Sequence, residues 1–127
     1  MTAPRVAVVT GGSSGIGLAV GRKLVARGYE VVLTARTSAT LEAAAAEVGA
    51  RWVAADSADP DAFAGVVAEA GTVHLLVHAA GVMQGTFVRK ESIDTFESVL
   101  RTNPTSAFVV ANASLPAMPA GGRMVFL

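Results

Sequence analysis

Thr10-Gly11-Gly12-Ser13-Ser14-Gly15-Ile16-Gly17 follows directly on the apolar run Val6–Val9 and leads straight into a helical pattern. A strand that hands over to a helix through such a turn aims unpaired helix N–H groups at the turn. Those groups and the positive end of the helix favour a phosphate or pyrophosphate. Each such interaction is worth about 0.3–1 kcal/mol at an exposed helix end, and more in a sheltered crevice. A glycine-rich loop that only reverses the chain is the plainer alternative. The strand before it, the helix after it and the spacing favour the anion site.

The elements that must hold this turn are legible as runs. Arg5–Val9, Glu30–Thr34, Arg51–Ala54, Val73–Val77 and Arg123–Leu127 are short and rich in Val and Leu. Strands so uniformly apolar are buried on both faces, as in a parallel sheet covered by helices. Between them, Ile16, Val20 and Leu24 recur at spacing four and predict the inward stripe of a first helix, with Gly28 at its end. Ala39–Val48 predicts a second helix stopped by Gly49. Asp59-Pro60 supplies an N-cap and a first-turn proline for a third, with Phe63, Val66 and Val67 facing inward before Gly71. Ser92 is placed to cap a fourth helix carrying Ile93, Phe96, Val99 and Leu100; Pro104 interrupts the pattern, and Thr105–Ala113 continues as a further helix. This β-α-β-α-β-α-β-α-β order predicts an α/β fold: a Rossmann-type doubly wound parallel sheet, strand order 3-2-1-4-5. Ligands of such folds sit outside the carboxyl ends of the strands, where every motif discussed here falls.

Composition bounds the function. The 127 residues suit one domain, are 52% hydrophobic and carry no formal net charge. That balance argues against binding through a broad basic surface, so neither nucleic acid nor an anionic membrane is expected as a partner. No cysteine is present, which removes disulfide and thiol chemistry, and two histidines make a poor metal site, so no metal is expected. No apolar stretch approaches the length of a membrane span and no signal-like segment opens the chain, which predicts a soluble cytoplasmic domain.

The motifs, taken in order, resemble the short-chain dehydrogenase/reductase family. Thr10–Gly17 fits its T-G-x3-G-x-G turn, and His78-Ala79-Ala80-Gly81 is similar to its N-N-A-G. Arg101-Thr102-Asn103 resembles the segment carrying its helix asparagine. Leu115-Pro116-Ala117-Met118 and Gly122-Arg123-Met124-Val125 resemble its L-P-x-M and G-R-I-V stretches. The resemblance implies that Gly11, Ser13, Ser14, Gly15, Ile16 and Gly17 line the pyrophosphate and adenosine ribose of a nicotinamide dinucleotide. Where a carboxylate at the end of the second strand would select NAD, this chain has Ala35. Arg36 follows with a planar fork suited to a phosphate, and Thr37 adds a hydroxyl, so NADP is expected over NAD. Asp56, with Ser57 beside it, stands where the family meets the adenine amino group; Asp-Ser-Ala-Asp-Pro is equally good turn chemistry. Ala79, Ala80 and Gly81 are small enough to let the backbone pass close to the nicotinamide ribose. His78 and His74 depart from the family pattern and read as packed or surface imidazoles. Asn103 is the one candidate for a catalytic role, bending the helix and holding a water in a proton relay. Ser106 stands where the family often has glycine.

Family chemistry needs a serine after the fifth strand and a tyrosine with a lysine four positions on. The only tyrosine, Tyr29, has Leu33 four residues later, and the only lysines are Lys23 and Lys90. Met124–Leu127 reads as an unguarded apolar edge strand. The expectation is therefore a truncated Rossmann domain spanning 1–127, inactive alone, the N-terminal half of a roughly 230–270-residue enzyme. Its reaction would interconvert a small-molecule carbonyl and an alcohol, in a homo-oligomer paired through long helices. A non-catalytic NADP-binding or regulatory module is the alternative. A methyltransferase-like domain is disfavoured, because its second strand should end in an acid that holds ribose hydroxyls.

Overall fold

The computed structural model describes residues 3–83 and 85–127. Its sheet has five strands, β1 (Val6–Thr10), β2 (Glu30–Ala35), β3 (Arg51–Ala54), β4 (Leu75–His78) and β5 (Arg123–Phe126), ordered β3-β2-β1-β4-β5. All four pairings are parallel. The register sets Thr10 beside both Thr34 and His78, Ala35 beside Ala54, and His78 beside Phe126. The carboxyl ends therefore finish along one rim. Order and class match the sequence reading; the strand ends move by one or two residues.

Alternation along β1 divides the core. Val6 and Val8 join Val32, Leu76, Phe63 and Val66 on the face covered by α3 (Pro60–Ala70) and α5 (Ser106–Ser114). Ala7 and Val9 join Leu33, Leu41 and Val48 on the face covered by α1 (Gly15–Ala26) and α2 (Ser38–Val48). Burying each such aliphatic side chain stabilises the fold by about 1.5–3 kcal/mol. The caps are as expected at α3, where the Asp59 carboxylate accepts from the Asp61 and Ala62 N–H groups, and at α4 (Ile93–Leu100), where the Ser92 hydroxyl accepts from Thr95 N–H.

Two expectations need correcting. Ile16 is 68% exposed and does not belong to the inward stripe of α1; Gly17 and Gly21 are the buried positions. The helix approaches the sheet so closely that a Cβ on Gly21 would lie 2.7 Å from Leu33 Cδ2, and one on Gly17 would fall on the Gly11 carbonyl. Spacing-four counting finds large side chains, and here contact is made where side chains are missing. The second concerns Pro104. The chain does not break there: α4 runs into α5 through a π-turn over Arg101–Thr105, with helical backbone at both junctions. Proline lacks the N–H of the regular ladder and its ring crowds the preceding turn. One wider turn accommodates both within a continuous rod. No helix among the described residues is long and apolar enough to cross a membrane.

Glycines in this fold thus separate by contact. Gly17→Ala drives a methyl into the Gly11 backbone and is expected to cost about 1–3 kcal/mol. Gly65→Ala, mid-helix in α3 with nothing within 4 Å of the added carbon, is expected to stabilise by about 0.5–1 kcal/mol. Urea denaturation of the two variants checks the opposite signs.

Candidate functional site

Along the carboxyl rim lies a cleft of about 500 Å³, within the range of small-molecule sites. Its floor is the β1–α1 turn. Gly11 adopts φ +64°, and a Cβ there would sit 2.8 Å from Ala80 N and 2.9 Å from the Ala79 carbonyl. Turn and β4 end therefore touch, and only glycine permits it. Ser14 is the N-cap of α1 in extended backbone, yet its side chain makes no capping bond, and the first helical turn carries no acid. The N–H groups that begin α1 are left available at the cleft, as an anion site requires.

The residues picked out by sequence come together here. Gly11, Ser13, Ser14, Gly15, Ile16 and Gly17 line the cleft from the first turn. Arg36 and Thr37 line it from the end of β2, Asp56 and Ser57 from beyond β3, and Ala79, Ala80 and Gly81 from beyond β4. Arg36 makes no ion pair among the described residues. Thr37 is the N-cap of α2 without a side-chain capping bond, so its hydroxyl is not spent on the helix.

Asn103 is placed differently. It lies in the π-turn and does not line the cleft; its Oδ1 accepts from Val82 N–H at 2.8 Å and its Nδ2 donates to the Val82 carbonyl at 2.8 Å. Both side-chain groups are thus committed to holding the strand of backbone that follows Gly81. Asp56 shows the turn chemistry: Oδ1 accepts from Ala58 N–H at 2.9 Å, while Oδ2 pairs with Arg101 at 3.0 Å. The Ala58 N–H is the main influence holding the Asp56 carboxyl below its usual pKa; partial burial opposes it, and the Arg101 and Arg36 charges add to the lowering. His74 is half-buried and accepts from Val6 N–H at 2.9 Å, at the amino ends of β1 and β4, away from the cleft. His78 is buried between Thr10, 2.7 Å from Nδ1, and Ser106, 3.1 Å from Nε2, with Phe126 edge-on.

Sequence reasoning missed four things. Ala55, Val82 and Thr102 also line the cleft, and nothing in their residue types signals it. Ser106 lines it as well, from the first turn of α5. The Arg101–Asp56 pair joins residues far apart in the chain, and no local pattern announces such a contact. Thr10, first letter of the glycine motif, turns out to be a buried hub whose Oγ1 accepts from Ala79 N–H and Ala80 N–H, each at 3.1 Å.

The lowered Asp56 pKa has a sign. A carboxyl whose folded pKa lies below its ordinary 3.8 contributes stability that is present above that value and is lost as pH falls through the folded value. The pair with Arg101 is largely exposed, with side-chain exposures of 57% and 38%, so its share is below about 1 kcal/mol. Asp56→Asn is expected to be less stable than the parent at neutral pH, and the difference is expected to shrink as the pH falls below 3.8 and the parent carboxyl takes up its proton. Urea midpoints at neutral pH and along a series below 3.8 check this.

Residues 5–127 match the family model described as short chain dehydrogenase. Over 129 aligned positions the chain is 36% identical to the 3-oxoacyl-[acyl-carrier-protein] reductase MabA of Mycobacterium tuberculosis, covering 97% of this chain and 50% of that protein. It is 36% identical to a 3-dehydrosphinganine reductase of Arabidopsis thaliana, covering 88% of this chain and 36% of that protein. Among solved structures, actinorhodin polyketide ketoreductase with NADPH superposes with a TM-score of 0.90 at 30% identity, over 99% of this chain and 54% of that one. The chain thus spans about half the length of the mycobacterial reductase or less of the other curated relative. With a family match across nearly its whole length, the chain belongs to the short-chain dehydrogenase family.

Proposed function

We propose that this chain supplies the cofactor-binding part of an NADP(H)-dependent oxidoreductase that interconverts a carbonyl and an alcohol by hydride transfer. The observation that carries the reading is one cleft holding both a helix N-terminus without a side-chain cap and, at the end of β2, an arginine that makes no ion pair among the described residues. The donor set fits the group. Helix N–H groups suit a diphosphate, and a guanidinium that follows Ala35 and makes no ion pair among the described residues suits a further phosphate on the ribose. NADP would supply the carbon that gives or takes the hydride.

In this reading the chain's own residues bind and orient. Gly11, Ser13, Ser14, Gly15, Ile16 and Gly17 receive the diphosphate and adenosine ribose. Arg36, with Thr37 beside it, grips the 2′-phosphate. Asp56 keeps lone pairs free for an adenine amino group despite its two protein partners, and Ser57 stands beside it. Ala79, Ala80 and Gly81 offer a side-chain-poor wall to the nicotinamide ribose. Asn103 is a positioning residue for that wall through Val82. Relatives named as reductases support the carbonyl-to-alcohol direction, and the family match supports a small-molecule substrate. Pairing with a second copy is supported by the exposed apolar side chains of Ile93, Phe96, Leu100 and Phe108 along the α4–α5 rod.

Arg36→Ala tests the reading. It is expected to weaken NADPH binding by about 1.5–3 kcal/mol, the scale of a hydrogen bond to a charged group, and to leave NADH binding nearly unchanged. Titration of both nucleotides by calorimetry decides. Equal losses would remove Arg36 from phosphate recognition, and tighter binding of S-adenosylmethionine than of NADPH would replace the oxidoreductase reading altogether.

A further inference from the structure

His78 stands where the family pattern has asparagine, and its surroundings fix where every proton lies. Thr10 Oγ1 accepts two backbone N–H groups, from Ala79 and Ala80, at 3.1 Å each. A hydroxyl has two acceptor positions and one hydrogen. Both acceptor positions are filled, so the Thr10 hydrogen goes to its one remaining neighbour, His78 Nδ1 at 2.7 Å. Nδ1 is therefore an acceptor and carries no proton. The ring proton sits on Nε2 and is donated to Ser106 Oγ at 3.1 Å. The one Ser106 hydrogen is directed at the π-turn, where the Thr102 and Asn103 carbonyls both accept it. The Thr10 and His78 hydrogens each have one destination, and the chain joins β1, β4 and the start of α5.

An imidazolium cannot be placed in this chain. A proton on Nδ1 would bring a third hydrogen to Thr10 Oγ1 and leave the threonine hydrogen without an acceptor. The ring meets Thr10 from β1, Ser106 from α5 and Phe126 from β5. Burial lowers its pKa from the ordinary 6.5, with no charged side chain contributing.

The Ala79–Ala80 peptide held by Thr10 is the same peptide that touches Gly11 in the wall of the cleft. We propose that His78, as a neutral imidazole protonated on Nε2, is a positioning residue that sets the width of the cofactor cleft by orienting the Thr10 hydroxyl toward itself and thereby fixing Ala79 and Ala80. The role rests on the cofactor reading above, but the proton assignment does not. Acid should open the network. A side chain that offers an acceptor at the δ position and cannot titrate should keep it closed.

Two variants and two readouts test this. The chain has two histidines, so ¹⁵N-histidine labelling gives four ring nitrogens, and His78→Asn assigns them. The expected spectrum shows an unprotonated Nδ1 and a protonated Nε2 for His78 at neutral pH. His78→Leu is expected to speed hydrogen exchange at the Ala79 and Ala80 amides and weaken NADP binding, each roughly ten-fold, the scale of one lost buried partner. His78→Asn is expected to retain both. As the pH falls below 6.5 and through the lowered pKa of His78, the parent should lose NADP affinity relative to His78→Asn, and taking that ratio cancels titration of the nucleotide's own phosphate. A proton on Nδ1, or a His78→Leu protein with parental exchange at Ala79 and Ala80, overturns the proposal. If the parent binds no NADP at any pH, the cofactor reading falls, while the ring nitrogens and amide exchange still decide the role of His78.

Discussion

Contact between the first turn and the end of β4 is the constraint on which the rest of this structure depends. Gly11 has no room for a side chain because the Ala79–Ala80 peptide occupies that space. Gly17 has none because the Gly11 carbonyl does. Three backbone segments (the turn, the first turn of α1 and the β4 end) therefore meet at van der Waals distance. A cleft built from backbone at that spacing presents N–H groups in place of side chains. It also lies at the switch point of the sheet, between β1 and β4, where helices depart to opposite faces.

Charge is arranged around that contact with little to spare. Among the described residues Arg36 lines the cleft without an ion pair, whereas Arg101 is paired with Asp56. The two guanidiniums thus have different tasks, although both lower the Asp56 pKa. Beneath them the buried polar groups form a neutral chain through Thr10, His78 and Ser106, so no uncompensated charge sits under the site. A satisfied chain of this kind rigidifies what it joins, because breaking one member leaves another orphaned in a low dielectric.

Much of this was legible in the sequence, for reasons that can be named. Strand identity and order followed from uniformly apolar runs alternating with helical spacing, a pattern that burial on both faces enforces. The glycine turn, Arg36–Thr37, Asp56–Ser57 and Ala79–Gly81 line one cleft because each of these motifs follows a strand, and parallel strands end along one rim; Asn103 follows no strand and lies outside it. What was not legible depended on contact between distant segments. Ile16 looked like a core residue until the closeness of α1 to Leu33 gave that place to Gly17 and Gly21. Pro104 read as a break, and the π-turn absorbed it. His78 read as a packed imidazole, which it is, but its protonation state needed the Thr10 and Ser106 geometry. The Arg101–Asp56 pair had no signature at all.

A crystal structure of the protein with NADP bound is the most direct test of the central claim, that the β1–α1 turn is an anion site sized for a dinucleotide. The account predicts diphosphate oxygens about 3 Å from the N–H groups that begin α1, the 2′-phosphate against Arg36, and Gly11 still touching the Ala79–Ala80 peptide. A diphosphate bound away from the carboxyl rim, or a first turn that must come apart to admit it, would contradict the account.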